Sequence, residues 1–201
     1  MTESQSKKIE YREMEIKDVD AIVDIHLKSF QGGILAAFGV RFLKRMYCLY
    51  LRSGNYGCVA TSEGRVIGYC LGTSNAVNLR SILDLSAIYK FIFSIILDPR
   101  VLLGLLSGLK GSPRIQVNDT DIELSHIALD PDFRSLGIGT ELVNYFEKAV
   151  GARGFNSIIS RTHNQALSNY YIREKAASVV SKFKRSGVEY TVLKWKLEGL
   201  C

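Results

Sequence analysis

Cysteine is sparse in this chain and is not grouped. Cys48, Cys58, Cys70 and Cys201 are the four among 201 residues, and none shows the spacing of a metal-ligand set. Cys58 and Cys70 fall on neighbouring predicted strands, yet free buried thiols in a reducing cytosol are the favoured reading. No uncharged apolar run reaches spanning length, because Asp84, Lys90, Asp98 and Arg100 interrupt the greasiest stretch, residues 82–106. Residues 1–8 lack the apolar core of a signal peptide and read as a disordered polar tail, so the expected compartment is cytoplasmic. Basic residues are scattered without an aromatic platform, which sets nucleic acid aside as a partner. Internal repeats and low-complexity segments are absent. What remains is a chain with 47% hydrophobic residues and mixed charges, sized for one domain with a substantial core. Its net charge of +6 favours anionic partners, such as nucleotide-linked small molecules or lipid headgroups.

Periodicity predicts a strand over 9–16, then a helix over 19–30 capped by Asp18. A break at 31–33 precedes a second helix over roughly 35–51. Strands over 55–61 and 65–72 form a hairpin around Glu63-Gly64. A strand over 122–129, a helix from Ile138 stopped by Gly154, a strand over 155–160 and a short helix over 165–174 follow. Two last strands, 177–184 and 188–197, meet at Ser186-Gly187. The order β-α-α-β-β-insert-β-α-β-α-β-β indicates an α/β (α+β) class, a mixed sheet with helices on its faces. The insert, about 76–117, is strongly apolar and Asp98-Pro99 splits it into two helices. It is expected to pack within the domain over a binding site, to form a homodimer surface or to meet a membrane through Lys90, Arg100, Lys110 and Arg114; the first two are favoured over peripheral membrane contact.

The stretch from Arg134 to Thr140 stands between strand 122–129, closed by Asp130-Pro131, and a helix carrying Ile138, Leu142, Phe146, Ala149 and Val150 at helical spacing. Gly137 and Gly139 permit a tight turn that points successive amides into a concavity, and the helix dipole adds partial positive charge. Arg134 supplies a full charge at the rim. The plain alternative is a glycine turn before a helix. A P-loop is excluded because no lysine follows the glycines, and a dinucleotide fingerprint because Leu142 stands where a third small residue belongs.

Arg134-x-x-Gly137-x-Gly139, after a strand ending in Asp-Pro and opening a helix, resembles the acyl-CoA pyrophosphate loop of the GNAT superfamily of N-acetyltransferases. The element order agrees along nearly the whole chain. The resemblance implies a mostly antiparallel seven-stranded sheet with helices on both faces, in one domain over 9–201 carrying the helical insert. It implies acetyl-CoA as cosubstrate and no metal. Strand 122–129 would splay from 155–160, and the pantetheine arm would bond the backbones of Ile127, Ala128 and Leu129 in the gap. The Ile127 amide would polarise the thioester carbonyl, and Arg134, Ser135, Leu136, Gly137, Ile138, Gly139 and Thr140 would hold the pyrophosphate. Asn164 would cap the next helix and bond the arm, and Tyr171 would protonate the leaving sulfur. Tyr170 beside it leaves open which ring faces the thioester. The family's Gly-Phe after that tyrosine is replaced here by Lys175-Ala176-Ala177.

Transfer to an amine needs a base, and Glu123 is the first choice: its distance from Arg134 matches the family's glutamate, and its apolar neighbours would raise its pKa. The alternative is a solvated carboxylate at the strand start. His126 is the second candidate, or else a packed core histidine. Alternation sets Glu123 and His126 on opposite faces unless a bulge re-aims one. His163 lies where it can contact substrate, and His26 reads as structural. In the family the acceptor enters over the loop holding Phe30, Gln31 and Gly32 and over the final hairpin. The runs 26–30 and 39–43 resemble members acting on amino sugars in surface-glycan synthesis. The expected reaction is direct acetyl transfer in a ternary complex to a small-molecule primary amine, a nucleotide-linked amino sugar leading. Acetyl is the default over a longer acyl group. The alternatives are a non-catalytic acyl-CoA-binding or scaffold module and a protein or peptide N-acetyltransferase.

Overall fold

The computed structural model describes residues 8–30, 34–74, 78–97, 118–185 and 187–197. The expected tail over 1–7, the loop residues Gln31 and Gly32, the Asp98-Pro99 break with the second half of the insert, and Cys201 lie outside the described residues. Seven strands form one sheet: β1 (Ile9–Glu13), β2 (Tyr56–Ser62), β3 (Arg65–Thr73), β4 (Asp121–Leu129), β5 (Ser157–Thr162), β6 (Ser178–Arg185) and β7 (Val188–Lys196). Their spatial order is β1-β2-β3-β4-β5-β7-β6, antiparallel except between β4 and β5. Strands β2 and β3 are apolar on both faces and almost wholly buried, which suits central strands. Glu63 and Gly64 both take positive φ, the turn that matches strand twist in a two-residue hairpin.

Helices cover both faces: α1 (Val19–Ser29), α2 (Ile34–Ala37), α3 (Val40–Arg52), α4 (Leu85–Leu97), α5 (Ile138–Gly151) and α6 (Gln165–Glu174). On one face Leu142, Phe146 and Val150 of α5 pack on Cys70, Ile122, Leu124 and Ile158, with Tyr171 and Trp195 beside them. On the other, Ile22, Val23, Leu43 and Met46 of α1 and α3 pack on Val59, Tyr69, Leu71 and Ala128. Each fully buried aliphatic side chain contributes about 1.5–3 kcal/mol, so both helical layers are firmly held.

Four expectations change in detail. Strand β1 stops at Glu13, because the Met14 amide bonds the Gly57 carbonyl and Glu15 opens a turn. Asp18 does not cap α1: its carboxylate takes two 2.7 Å bonds from Arg12 and one from the Glu15 amide. The second predicted helix is two helices, broken at Gly39 with φ +84°. Strand β5 begins two residues late because Phe155 returns its amide to the Val150 carbonyl and closes α5 instead. In the insert, α4 docks through Ala87 and Phe91, whose ring stacks on Phe38 at 4.3 Å, while Leu85, Tyr89, Ile96 and Leu97 stay largely exposed. Among the described residues no helix is long and apolar enough to cross a membrane.

Candidate active site

Strands β4 and β5 pair only from Asp121–Ser157 to Leu124–Ser160, and then part. Beyond that point β4 continues along β3 alone, and β5 along β7. Asp130 donates its amide to Ile67, so by strand alternation Ala128 bonds toward β3 while Ile127 and Leu129 turn their backbone groups into the gap. Of the three backbones assigned to the pantetheine arm, that of Ile127 faces the gap, that of Leu129 faces it with its carbonyl taken by Arg134 and Ser29, and that of Ala128 is occupied by Tyr69.

A bulge sits at the parting point. His126 lies opposite Leu71 and Leu124 opposite Gly72, which leaves Ser125 as the extra residue on β4. The bulge resets the alternation. Ile122 and Leu124 before it, and Ile127 and Leu129 after it, belong to the α5 face. Glu123 and His126 consequently share the α1–α3 face: Glu123 lies near Tyr50 of α3, and His126 against Phe30 and His26 of α1. Simple alternation had set them on opposite faces; the bulge re-aims the pair.

At the far end of β4, Asp130 is buried and bonded by Arg65 at 2.8 Å and Lys28 at 3.3 Å. Burial alone would raise this carboxyl, but the Asp132 amide and both cations outweigh it and hold it below the usual range. The next turn runs through Ser135 (φ +63°) and Gly137 (φ +76°) into α5. Helix α5 has no side-chain cap, and its first backbone bond runs from Glu141 to Gly137. Among the described hydrogen bonds, none is donated by the amides from Ser135 to Thr140. Those amides form an open anion cradle. A Cβ on Gly139 would meet only Leu129, at 3.5 Å, so the space above it is free. Arg134 folds back, bonding the Ser29 hydroxyl at 3.1 Å and the Leu129 carbonyl at 3.3 Å. Leu136 is largely exposed and Ile138 is buried in the core.

Helix α6 flanks the gap. Asn164 caps it, its side chain accepting from the Leu167 amide at 3.0 Å. Tyr171 is wholly buried, with its ring stacked on Trp195 at 4.7 Å. Its hydroxyl lies beside Ser160, the last β5 residue paired to β4, without the geometry of a hydrogen bond. The hydroxyl of Tyr170 lies beside Thr140 at the cradle, also unbonded. The two tyrosines thus serve different ends of the gap, and Tyr171 is the one at its apex.

Across the sheet, Glu123 accepts two bonds from Nη1 of Arg161, at 2.8 and 2.7 Å. Burial pushes the Glu123 carboxyl up, and Arg161 only partly offsets it. His126 is driven the other way, to about 4, by burial and by His26 beside it. His26 is itself lowered to about 4 by burial and bonds Tyr47 at 2.7 Å and Tyr69 at 3.2 Å, the structural role expected of it. Burial thus favours the protonated form of Glu123 and the neutral form of His126. His163 is exposed at the end of β5, its ring against Tyr190, which stacks on Phe183.

Arg161 is not among the residues that the sequence reading singles out. Its signal is a cation inside Ser157–Thr162, an otherwise buried strand, at the same parity as His163. Six buried side-chain polar atoms lack a partner among the described residues. Four of them, His126 Nδ1, Arg161 Nε and the hydroxyls of Tyr170 and Tyr171, belong to the parting strands or the helix packed on them. Unbonded donors around a gap with free strand edges, ending at an amide cradle, fit an extended amide-containing arm tipped by phosphates.

Comparison with known proteins agrees. The family model described as acetyltransferase (GNAT) family matches residues 19–174. No curated protein matches the chain. An N-acetyltransferase from Staphylococcus aureus Mu50 superposes with a TM-score of 0.62 at 13% identity, over 95% of this chain and 99% of that one. An acetyltransferase from Salmonella typhimurium, solved with its cofactor acetyl-CoA, gives 0.61 at 11% identity, over 94% of each chain. A phosphinothricin acetyltransferase from Sinorhizobium meliloti, in complex with acetyl-CoA, gives 0.62 at 17% identity, over 96% of this chain and 90% of that one.

Proposed function

The chain belongs to the GNAT family of acetyltransferases, and from that premise we propose that it acetylates a primary amine of a small molecule by direct attack within a ternary complex. Residues 9–201 act as one acyltransferase domain, and a nucleotide-linked amino sugar is the first acceptor to test. The observation that carries this reading is the parted β4–β5 pair, with an amide cradle at its mouth and a half-buried carboxylate across the sheet.

Acetyl-CoA supplies the acetyl group as a thioester, whose C–S bond breaks as the amine nitrogen bonds the carbonyl carbon. Amides from Ser135 to Thr140, with Arg134 at the rim, hold the pyrophosphate. Ile127 donates its amide to the developing oxyanion; losing such a donor costs ~3 kcal/mol. Glu123 removes the ammonium proton, and burial raises its pKa in the direction a general base needs. Tyr171 gives its hydroxyl proton to the departing sulfur, and no side chain of the enzyme is acetylated.

The test is CoA release against a panel of amines, amino sugars and peptides. Glu123→Gln is expected to abolish release while retaining acetyl-CoA binding. Turnover undiminished in that variant would sink Glu123 as base, and release by peptides alone would replace the small-molecule acceptor.

A further inference from the structure

Arg161 does more here than one salt bridge needs. Its single nitrogen Nη1 serves both oxygens of Glu123. The opposite edge of the guanidinium, Nε with Nη2, donates no hydrogen bond among the described residues, and Nε is buried without a partner. That edge is the fork that grips a carboxylate or phosphate through two parallel bonds. A buried guanidinium N–H left unbonded is costly, so a ligand that completes it gains at this position.

The neighbourhood has the shape of a binding face. Arg161 lies opposite Val192 and Val192 opposite Ser181, which sets these three in a row across β5, β7 and β6. The Ser181 hydroxyl is also buried and unpartnered. One step along lies the row of His163, Tyr190 and Phe183, whose rings touch in sequence at 5.1 and 5.2 Å. Glu123 of β4 pairs with Ile159, one step back from the Arg161 row, and reaches Arg161 on the same face. The side chains of Arg161 and Glu123 keep a quarter and a fifth of their surface exposed.

We propose that the free edge of Arg161 anchors an oxyanion of the acceptor, a carboxylate or phosphate carried close to the reacting amine. The short bonds between Arg161 and Glu123 limit the separation: a molecule whose amine meets the carboxylate presents its anion only a few bonds away. The site rests on the acetyl-transfer reading for the position of the amine, while oxyanion binding itself does not depend on turnover.

Matched pairs test it with the full chain, loaded with CoA for binding and supplied with acetyl-CoA for turnover. L-phenylalanine, L-leucine and L-methionine are set against their decarboxylated amines, and a UDP-linked amino sugar against the free sugar. Calorimetry reads binding and CoA release reads turnover. The expected result is a preference of about 100-fold or more for the anionic member of at least one pair, carried by Kd or KM rather than kcat. The amino-acid and UDP arms tell a carboxylate from a phosphate. Arg161→Gln is expected to reduce that preference to within about threefold, and Arg161→Lys to restore only part of it, since a point charge lacks the fork. Equal affinity within every pair, or no binding by any member, overturns the proposal. So does a loss in Arg161→Gln that falls equally on anionic and neutral members, which would leave Arg161 only the holding of Glu123. Oxyanion-selective binding without acetyl transfer would keep the anchor and remove the acetyl-transfer reading.

Discussion

On the α5 side of the parted strands the chain offers bare backbone: open amides at the start of α5, glycines that leave the space above the turn free, and the edge of Ile127. On the α1–α3 side it offers side chains already committed to one another: Glu123 with Arg161, and His26 with Tyr47 and Tyr69. A site made of amides suits a ligand that does not vary, because every chain carries the same donors. A site made of side chains can be retuned residue by residue, so acceptor choice belongs there. The two halves should therefore fail separately.

The largest effect is expected from Glu123→Gln. The amide keeps the shape but cannot take a proton, so kcat should fall about 10²–10⁴-fold while the acetyl-CoA Kd stays within about twofold. Stopped assays with calorimetry check both; a matching loss in Kd would mean the halves are not independent. Next comes Gly139→Ala. The new methyl meets only Leu129 at 3.5 Å and sits in a helix, where alanine is favoured over glycine, so Tm should hold or rise. The same methyl occupies the cradle, and the acetyl-CoA Kd should rise about tenfold or more. Unchanged binding would show that the cradle is not used.

This division also explains what the sequence discloses. The cradle was legible because two glycines, an arginine and a helix pattern are local, and local spacing translates directly into backbone shape. The hairpin at Glu63-Gly64 and the helix Gln165–Glu174 were legible for the same reason. The acceptor face was not. Whether Glu123 and His126 share a face turns on the extra residue Ser125, and a bulge leaves no mark in the pattern of β4 itself. Arg161 acquires meaning only when β5 is laid beside β4, across 38 residues of chain. Gly39 divided a helix that looked continuous, because its neighbours keep helical spacing on both sides.

Titration distinguishes the halves further. Glu123 must be ionised to act, and burial raises its pKa, so kcat/KM should climb with pH along a limb above the ordinary glutamate range of about 4.3. Replacing Arg161 by Gln removes the cation that lowers it, and the limb should move to higher pH. Stability follows other groups. His26 and His126 fall from 6.5 in the free side chain to about 4 in the fold, so the unfolded chain binds more protons between those values. Their contribution is complete above pH 6.5 and is lost as pH falls toward 4. Melting curves should show Tm declining through that window, and His26→Gln should flatten the decline. A Tm indifferent to pH there would contradict the burial of the pair.

The smallest effect separates backbone strain from backbone function. Ser135 and Ala176 both take positive φ without being glycine, at +63° and +49°. Ser135 lies in the cradle, where an unusual turn aims the amides. Ala176 ends α6, at the place where the family's Gly-Phe is missing, and Ala177 after it is buried in the core. The left-handed conformation costs an alanine about 1–2 kcal/mol, and glycine relieves it while adding freedom to the unfolded chain. Ala176→Gly should therefore raise stability by roughly 0.5–1 kcal/mol, read as a higher urea midpoint with unchanged slope. Acetyl-CoA binding should stay the same, since the strain at Ala176 orders the end of a helix and touches no donor of the gap. Ser135→Gly relaxes the same kind of strain within the cradle, where looser amides should weaken the cosubstrate by about threefold. If both variants stabilise and neither alters binding, the left-handed turn at Ser135 is as incidental as the one at Ala176, and preorganised backbone would no longer set the two halves apart.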